Sequence, residues 1–199
     1  MAKNNSSKTT LIIIAVILGI LIIGGLIFGF GCYYLYKVGT STTPSPSTSV
    51  NTQNWKYYNN ARYKFTLNYP NTFSDQESVN GDGVSLTSSS PAISVNAYGA
   101  FNSQNQSLDE YLNAARSDLF KGAESAEEIA ADETTLGGLP AQERRWQYIN
   151  SIDGSKTIMD QVTAQKGDTF YTVQMVIGFS SYSEYAPMFD EILKSFKFV

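Results

Sequence analysis

The sequence contains no histidine. This removes Ser-His-Asp and Cys-His catalysis, histidine-ligated zinc and the HExxH metal site from the chemistry to be expected. There is one cysteine, Cys32, and it precedes the polar part of the chain. That part therefore has no internal disulfide, no thiol nucleophile and no thiolate metal site. Negative charge is missing from the first third: no acidic residue precedes Asp75. Beyond Lys37 the balance reverses, with 11 basic and 18 acidic residues. An acidic domain repels phosphate backbones, so nucleic acid is not an expected partner.

Charge is absent altogether from Leu11 to Tyr36, which reads LIIIAVILGILIIGGLIFGFGCYYLY. About 20 apolar residues suffice for a helix to cross the hydrocarbon core. Tyr33, Tyr34 and Tyr36 form an interfacial collar at the end of the run, and Lys37 closes it. Lys3 and Lys8 precede it, so the positive-inside rule gives a cytoplasmic N-terminus over 1–10 and a single-pass transmembrane helix over 11–36. The C-terminal domain is then extracytoplasmic, and the membrane is the expected partner. A cleaved signal peptide has an apolar region of about 7–15 residues, shorter than this run. Lipidation at Cys32 is an alternative anchor: Gly31 fits a lipobox, whereas Phe30 and Gly29 do not. Gly25-x-x-x-Gly29 matches a helix-packing motif, although glycine is common in membrane helices.

Residues 37–54 are rich in Ser, Thr and Pro and have almost nothing to bury, which predicts a flexible spacer. A soluble domain then occupies 55–199. Trp55–Tyr58 predicts a short strand, with a turn at Asn59-Asn60. Tyr63, Phe65, Leu67 and Tyr69 alternate with polar residues as in a half-buried strand, and Pro70 stops it. Asn80–Gly83 is a turn before strands at Val84–Thr87 and Ile93–Tyr98. Ser107-x-x-Glu110 is a capping box; Leu108, Tyr111, Leu112, Ala115 and Leu119 share a helical face, and Gly122 supplies a stop.

A meander of antiparallel strands follows: Glu127–Thr135, Gln142–Asn150, Thr157–Gln165 and a strand carrying Tyr171, Val173, Met175 and Ile177 on one face. Its turns are Leu136–Pro140, Asp153-Gly154 and Gly167-Asp168. A second helix spans roughly Ser183 to Ser195 with Pro187 in its first turn, and Lys197–Val199 predicts a final strand. The class is α+β: an antiparallel sheet of about 6–7 strands flanked by helices, preceded by one transmembrane helix.

Trp55-x-x-Tyr58-x-Asn60-x-x-Tyr63-x-Phe65-x-Leu67-x-Tyr69-Pro70 resembles the opening of PsbP-like domains. Leu136-Gly137-Gly138-Leu139-Pro140-Ala141 resembles a turn of that family. Tyr185-x-Pro187-x-Phe189-x-x-Ile192-Leu193-x-Ser195-Phe196-x-Phe198 resembles its closing helix and strand. The resemblance spans about Trp55 to Val199 and implies an α/β/α sandwich. It also implies either an extrinsic photosystem II subunit or one of the bacterial relatives anchored outside the cell membrane. Metal sites of the family commonly use histidine, which this chain lacks, so the resemblance carries over no binding residue and no cofactor.

Carboxylates are the abundant reactive groups. Glu124, Glu127, Glu128, Asp132 and Glu133 suit either a calcium contact or a solvated edge. Arg144-Arg145 beside Trp146 suits either an anion or ordinary strand surface. Asp153 and Asp160 form a candidate acid/base pair, while Gly137-Gly138 is too short for a phosphate loop. No catalytic, cofactor-binding or metal residue is assigned. The expected function is a non-catalytic binding or assembly module of the cell envelope, acting on an unidentified envelope protein or ligand. The alternatives are a carboxylate-dependent envelope hydrolase and a carrier of an apolar ligand. The oligomeric state is open.

Overall fold

In the computed structural model, residues 50–121 and 123–199 are described. The expected transmembrane helix, Cys32, most of the spacer and the Gly122 stop lie outside them. No helix among the described residues is long and apolar enough to cross a membrane.

Among the described residues, ten strands and two helices follow one another. They are β1 (Lys56–Asn60), β2 (Phe65–Tyr69), β3 (Ser74–Glu77), β4 (Gly83–Ser89), β5 (Ala92–Phe101), α1 (Leu108–Lys121), β6 (Ala123–Leu136), β7 (Leu139–Asn150), β8 (Lys156–Lys166), β9 (Thr169–Gly178), α2 (Tyr182–Ser195) and β10 (Lys197–Phe198). Seven strands form one antiparallel sheet in the order β3-β4-β5-β9-β8-β7-β6, and β1-β2-β10 form a small second sheet. The meander β6–β9 arises because each connection is a short hairpin.

Neighbouring residues of a strand point to opposite faces. On β9, Phe170 stacks on Tyr111 of α1 at 4.1 Å, while Tyr171 meets Phe196 and Phe198 beyond the end of α2. The two helices therefore cover opposite faces of the sheet. The face under α2 holds the main core: Val173, Met175 and Ile177 of β9, Ile158 and Val162 of β8, and Phe189 and Ile192 of α2. The small sheet closes the same face, with Phe65 stacked on Phe196 at 5.1 Å. Val50, near the end of the expected spacer, is partly buried against this core.

Several local expectations hold. Ser107 and Glu110 cap α1 reciprocally: Ser107 N donates to Glu110 Oε2 at 2.7 Å and Glu110 N donates to Ser107 Oγ at 3.2 Å. Gly137 (φ 58°) and Gly138 (φ 83°) make the two-residue turn between β6 and β7, the left-handed pair such a hairpin needs.

Others are corrected. Asn59 and Asn60 lie within β1. Asn60 is buried and takes Tyr63 N at 2.7 Å, so its side chain organises the turn that follows. The β7–β8 hairpin has a five-residue loop in which Gly154 has positive φ and Asp153 does not. Pro187 sits inside α2, because a 3-10 turn at Phe179–Ser181 starts the winding early and the helix begins at Tyr182.

Candidate functional site

Strand β7 presents Ala141, Glu143 and Arg145 to the α2 face, opposite Trp146 and Tyr148, which are buried on the other. The ladder places Arg145 across from Asp160 on β8, and Asp132 of β6 across from Glu143. Four ionisable residues from three strands thus share one patch of the sheet, with Asp160 and Arg145 meeting Tyr182 at the start of α2.

Asp160 is the buried charged residue among those described, with its side chain 4% exposed. Arg145 Nε donates to Asp160 Oδ2 at 2.9 Å, and the Tyr182 hydroxyl donates to the same oxygen at 2.5 Å. The Arg145 guanidinium also lies over the Tyr182 ring, 5.0 Å from its centre. A second arm of Arg145 pairs with Glu143. Arg145 thus serves two carboxylates, and the network ties α2 to the middle of the sheet.

The protonation pattern follows from this crowding. Burial raises the Glu143 carboxyl above the usual range, and the neighbouring charge of Asp160 raises it further against the opposing pull of Arg145. Burial likewise raises Asp190, with Lys194 pulling the other way and Asp160 adding to the rise. Tyr182 is held well above its ordinary value by burial and by its bond to Asp160. Burial works against the charge of Arg145, but Asp160, Tyr182 and Glu143 together outweigh it and the guanidinium stays protonated.

Beside this patch a groove of about 440 Å³ opens between the β6–β7 hairpin and the last turns of α2. Glu143 and Asp190 form part of its wall, with Thr134, Gly138, Leu193 and Lys194. Lys194 Nζ is held at the rim by Glu191 Oε1 at 2.7 Å.

The residues singled out from the sequence are dispersed. Arg144 and Arg145 point to opposite faces: Arg144 reaches Gln142 Oε1 at 2.9 Å and Asp109 Oδ1 at 3.5 Å on the α1 side. Asp153 lies exposed in the β7–β8 loop and accepts Ser155 N, so it does not pair with the buried Asp160. Glu124, Glu127, Glu128, Asp132 and Glu133 run along the edge strand β6, where Glu128 accepts Trp146 Nε1 at 3.1 Å. Among the described residues no group of three or more acidic or thiol side chains is placed to hold a metal ion. Sequence reading passed over Glu143, Tyr182 and Asp190. The available signal was parity: charged residues at 143 and 145 alternate with Trp146 and Tyr148 on a strand flanked on both sides.

Solved structures settle the architecture. CyanoP, the cyanobacterial PsbP of Synechocystis sp. PCC 6803, superposes with a TM-score of 0.57 at 12% identity, over 78% of this chain and 98% of its own. The chain has the PsbP-like fold. The same fold occurs in the Ran-binding protein Mog1p of Saccharomyces cerevisiae, with a TM-score of 0.55 at 13% identity over 73% of this chain and 96% of that one. It also occurs in LpqN of Mycobacterium tuberculosis, a protein involved in cell envelope biogenesis, with a TM-score of 0.55 at 15% identity over 72% and 89%. The sequence matches no protein-family model and no curated protein. The expectation of a PsbP-like domain is thus met as a fold, from residues whose identity to these structures is low throughout.

Proposed function

We propose that the chain is a membrane-tethered binding or assembly module of the cell envelope, with its PsbP-like domain outside the membrane and no catalytic activity of its own. The observation that carries this reading is where the ionisable groups sit. Asp160, Arg145 and Tyr182 are bound to one another in a network that secures α2. What remains accessible is a surface groove.

The two alternatives fare less well. Glycoside hydrolysis places its carboxylates about 5–9.5 Å apart so that sugar or water fits between them. Glu143 and Asp160 instead share one cation, Arg145, which binds both at once. An apolar-ligand carrier needs space between sheet and helix, and that interior is filled by Phe65, Tyr171, Phe189 and Phe196. Support for a binding role comes from Mog1p, which binds Ran, and support for an envelope setting from LpqN. The apolar run at 11–36 supports the tether.

Two measurements test the proposal. Protease added to intact cells is expected to digest the domain while an N-terminal tag stays protected. The full chain, purified in detergent, is expected to turn over none of a panel of envelope glycans and peptides. A saturable turnover abolished by Glu143→Gln would overturn the non-catalytic reading.

A further inference from the structure

Two carboxylates meet on one edge of Arg145. Its Nε and Nη2 hydrogens point the same way, a fork that commonly takes both oxygens of a single carboxylate. Here Nε donates to Asp160 Oδ2 at 2.9 Å and Nη2 donates to Glu143 Oε1. The shared fork sets the two carboxyl groups side by side with one positive charge between them. The Tyr182 hydroxyl is the second donor to Asp160 Oδ2. Asp160 Oδ1 is buried with no hydrogen-bond partner among the described residues. Buried polar atoms are almost always satisfied, and like charges side by side favour a state in which one is neutral.

A proton on one carboxyl answers both conditions, because a carboxylic acid is a donor and carries no charge. The surroundings decide which carboxyl holds it. Asp160 accepts two hydrogen bonds that favour its charged form, and its side chain is 4% exposed. The Glu143 side chain is 21% exposed and lines the groove, where solvent can deliver and remove a proton. Burial and the charge of Asp160 raise its carboxyl, against the pull of Arg145.

We propose that Glu143 and Asp160 share a single proton, held on Glu143 Oε2 and donated to Asp160 Oδ1, and that this proton latches the start of α2 to the sheet. With it in place, Asp160 is satisfied at both oxygens while it holds the Tyr182 hydroxyl. Its loss to solvent leaves two anions on one guanidinium. Their repulsion moves Glu143 toward the groove and draws Arg145 with it, off Asp160 and off the Tyr182 ring. The latched state binds the proton more tightly than a state with the start of α2 lifted, so its removal favours lifting. The latch is complete below the Glu143 titration and weakens as pH rises through it. The charged and titratable groups that face the pair are Asp132 from β6, Arg145 from β7, Tyr182, Asp190, Glu191 and Lys194 from α2, and Lys197 from β10. The latch belongs to the fold and stands whether or not the groove binds a partner.

The test uses the isotope-labelled full chain in detergent micelles. The carboxyl carbon of Glu143 is expected to titrate at higher pH than those of the exposed Glu127 and Glu133, while Asp160 keeps the shift of an ionised carboxylate throughout. Amide exchange at residues 185–189, corrected for its intrinsic pH dependence, is expected to lose protection about tenfold over the same range, the equivalent of one charge-assisted hydrogen bond. Glu143→Gln, an uncharged and permanent donor, is expected to keep the protected state at both ends of the range. Asp190→Asn is expected to keep the pH step, because Asp190 is not on the Arg145 fork. A Glu143 carbon that titrates with Glu127 and Glu133 would overturn the inference without any variant. So would protection that is flat across the Glu143 titration, or a pH step that persists in Glu143→Gln.

Discussion

Arg145 stands between two carboxylates, and its removal separates their roles. Arg145→Met leaves Asp160 buried with Tyr182 as its remaining donor. Breaking a buried ion pair from one side costs about 3–5 kcal/mol, so urea denaturation is expected to show a loss of that order. Glu143→Gln acts the other way. A glutamine amide can donate to Asp160 Oδ1, and the repulsion between the two carboxylates disappears. Stability at neutral pH is then expected to rise by up to about 1 kcal/mol, in the range of other substitutions that relieve a local conflict. The pH dependence follows from the raised carboxyls of Glu143 and Asp190. A carboxyl with a raised folded pKa binds its proton more tightly in the folded state. The stability it contributes is complete below the ordinary carboxylate range and is lost as pH rises through the raised value. The wild-type melting temperature is therefore expected to gain from this pair as pH falls from neutral into that window, and the gain is expected to shrink in Glu143→Gln. A melting profile that is unchanged by the substitution would contradict the assignment.

At the scale of elements, the start of α1 offers the cleanest local test. Ser107→Ala removes the oxygen that receives Glu110 N and the partner of the Glu110 carboxylate. A loss of about 0.5–2 kcal/mol is expected from chemical denaturation, the range measured for N-cap substitutions. This cap was legible in the sequence because both partners lie within one turn. So were β2 and β9, whose alternating residues do face one core. Strand β3 was not legible: Ser74–Glu77 is exposed throughout and is a strand by virtue of its ladder to β4 alone. Asn60 was read as a turn residue by type, yet its buried amide holds both the following turn and Gly81 O, a contact twenty-one residues away. The site was legible only in part. Arg145 and Asp160 were both noticed, but each was given a sequence neighbour or loop residue as its companion. Their true relation depends on the register between β7 and β8, and Tyr182 and Asp190 join them through the docking of α2, which no local pattern encodes.

At the largest scale the described residues allow, the sheet, the two opposed helices and the small second sheet make a ring-filled body with an open groove at one end of α2. On the proposed reading of a domain held outside a membrane, this groove is the surface a partner meets. The most direct test of this account is photo-crosslinking of the full chain in intact cells. A photoreactive residue is placed at Thr135, on the groove, and in a separate variant at Ile152, in the exposed β7–β8 loop. A discrete adduct from Thr135, with no matching adduct from Ile152, is the predicted result. The same adducts from both positions, or no adduct from Thr135, would contradict it.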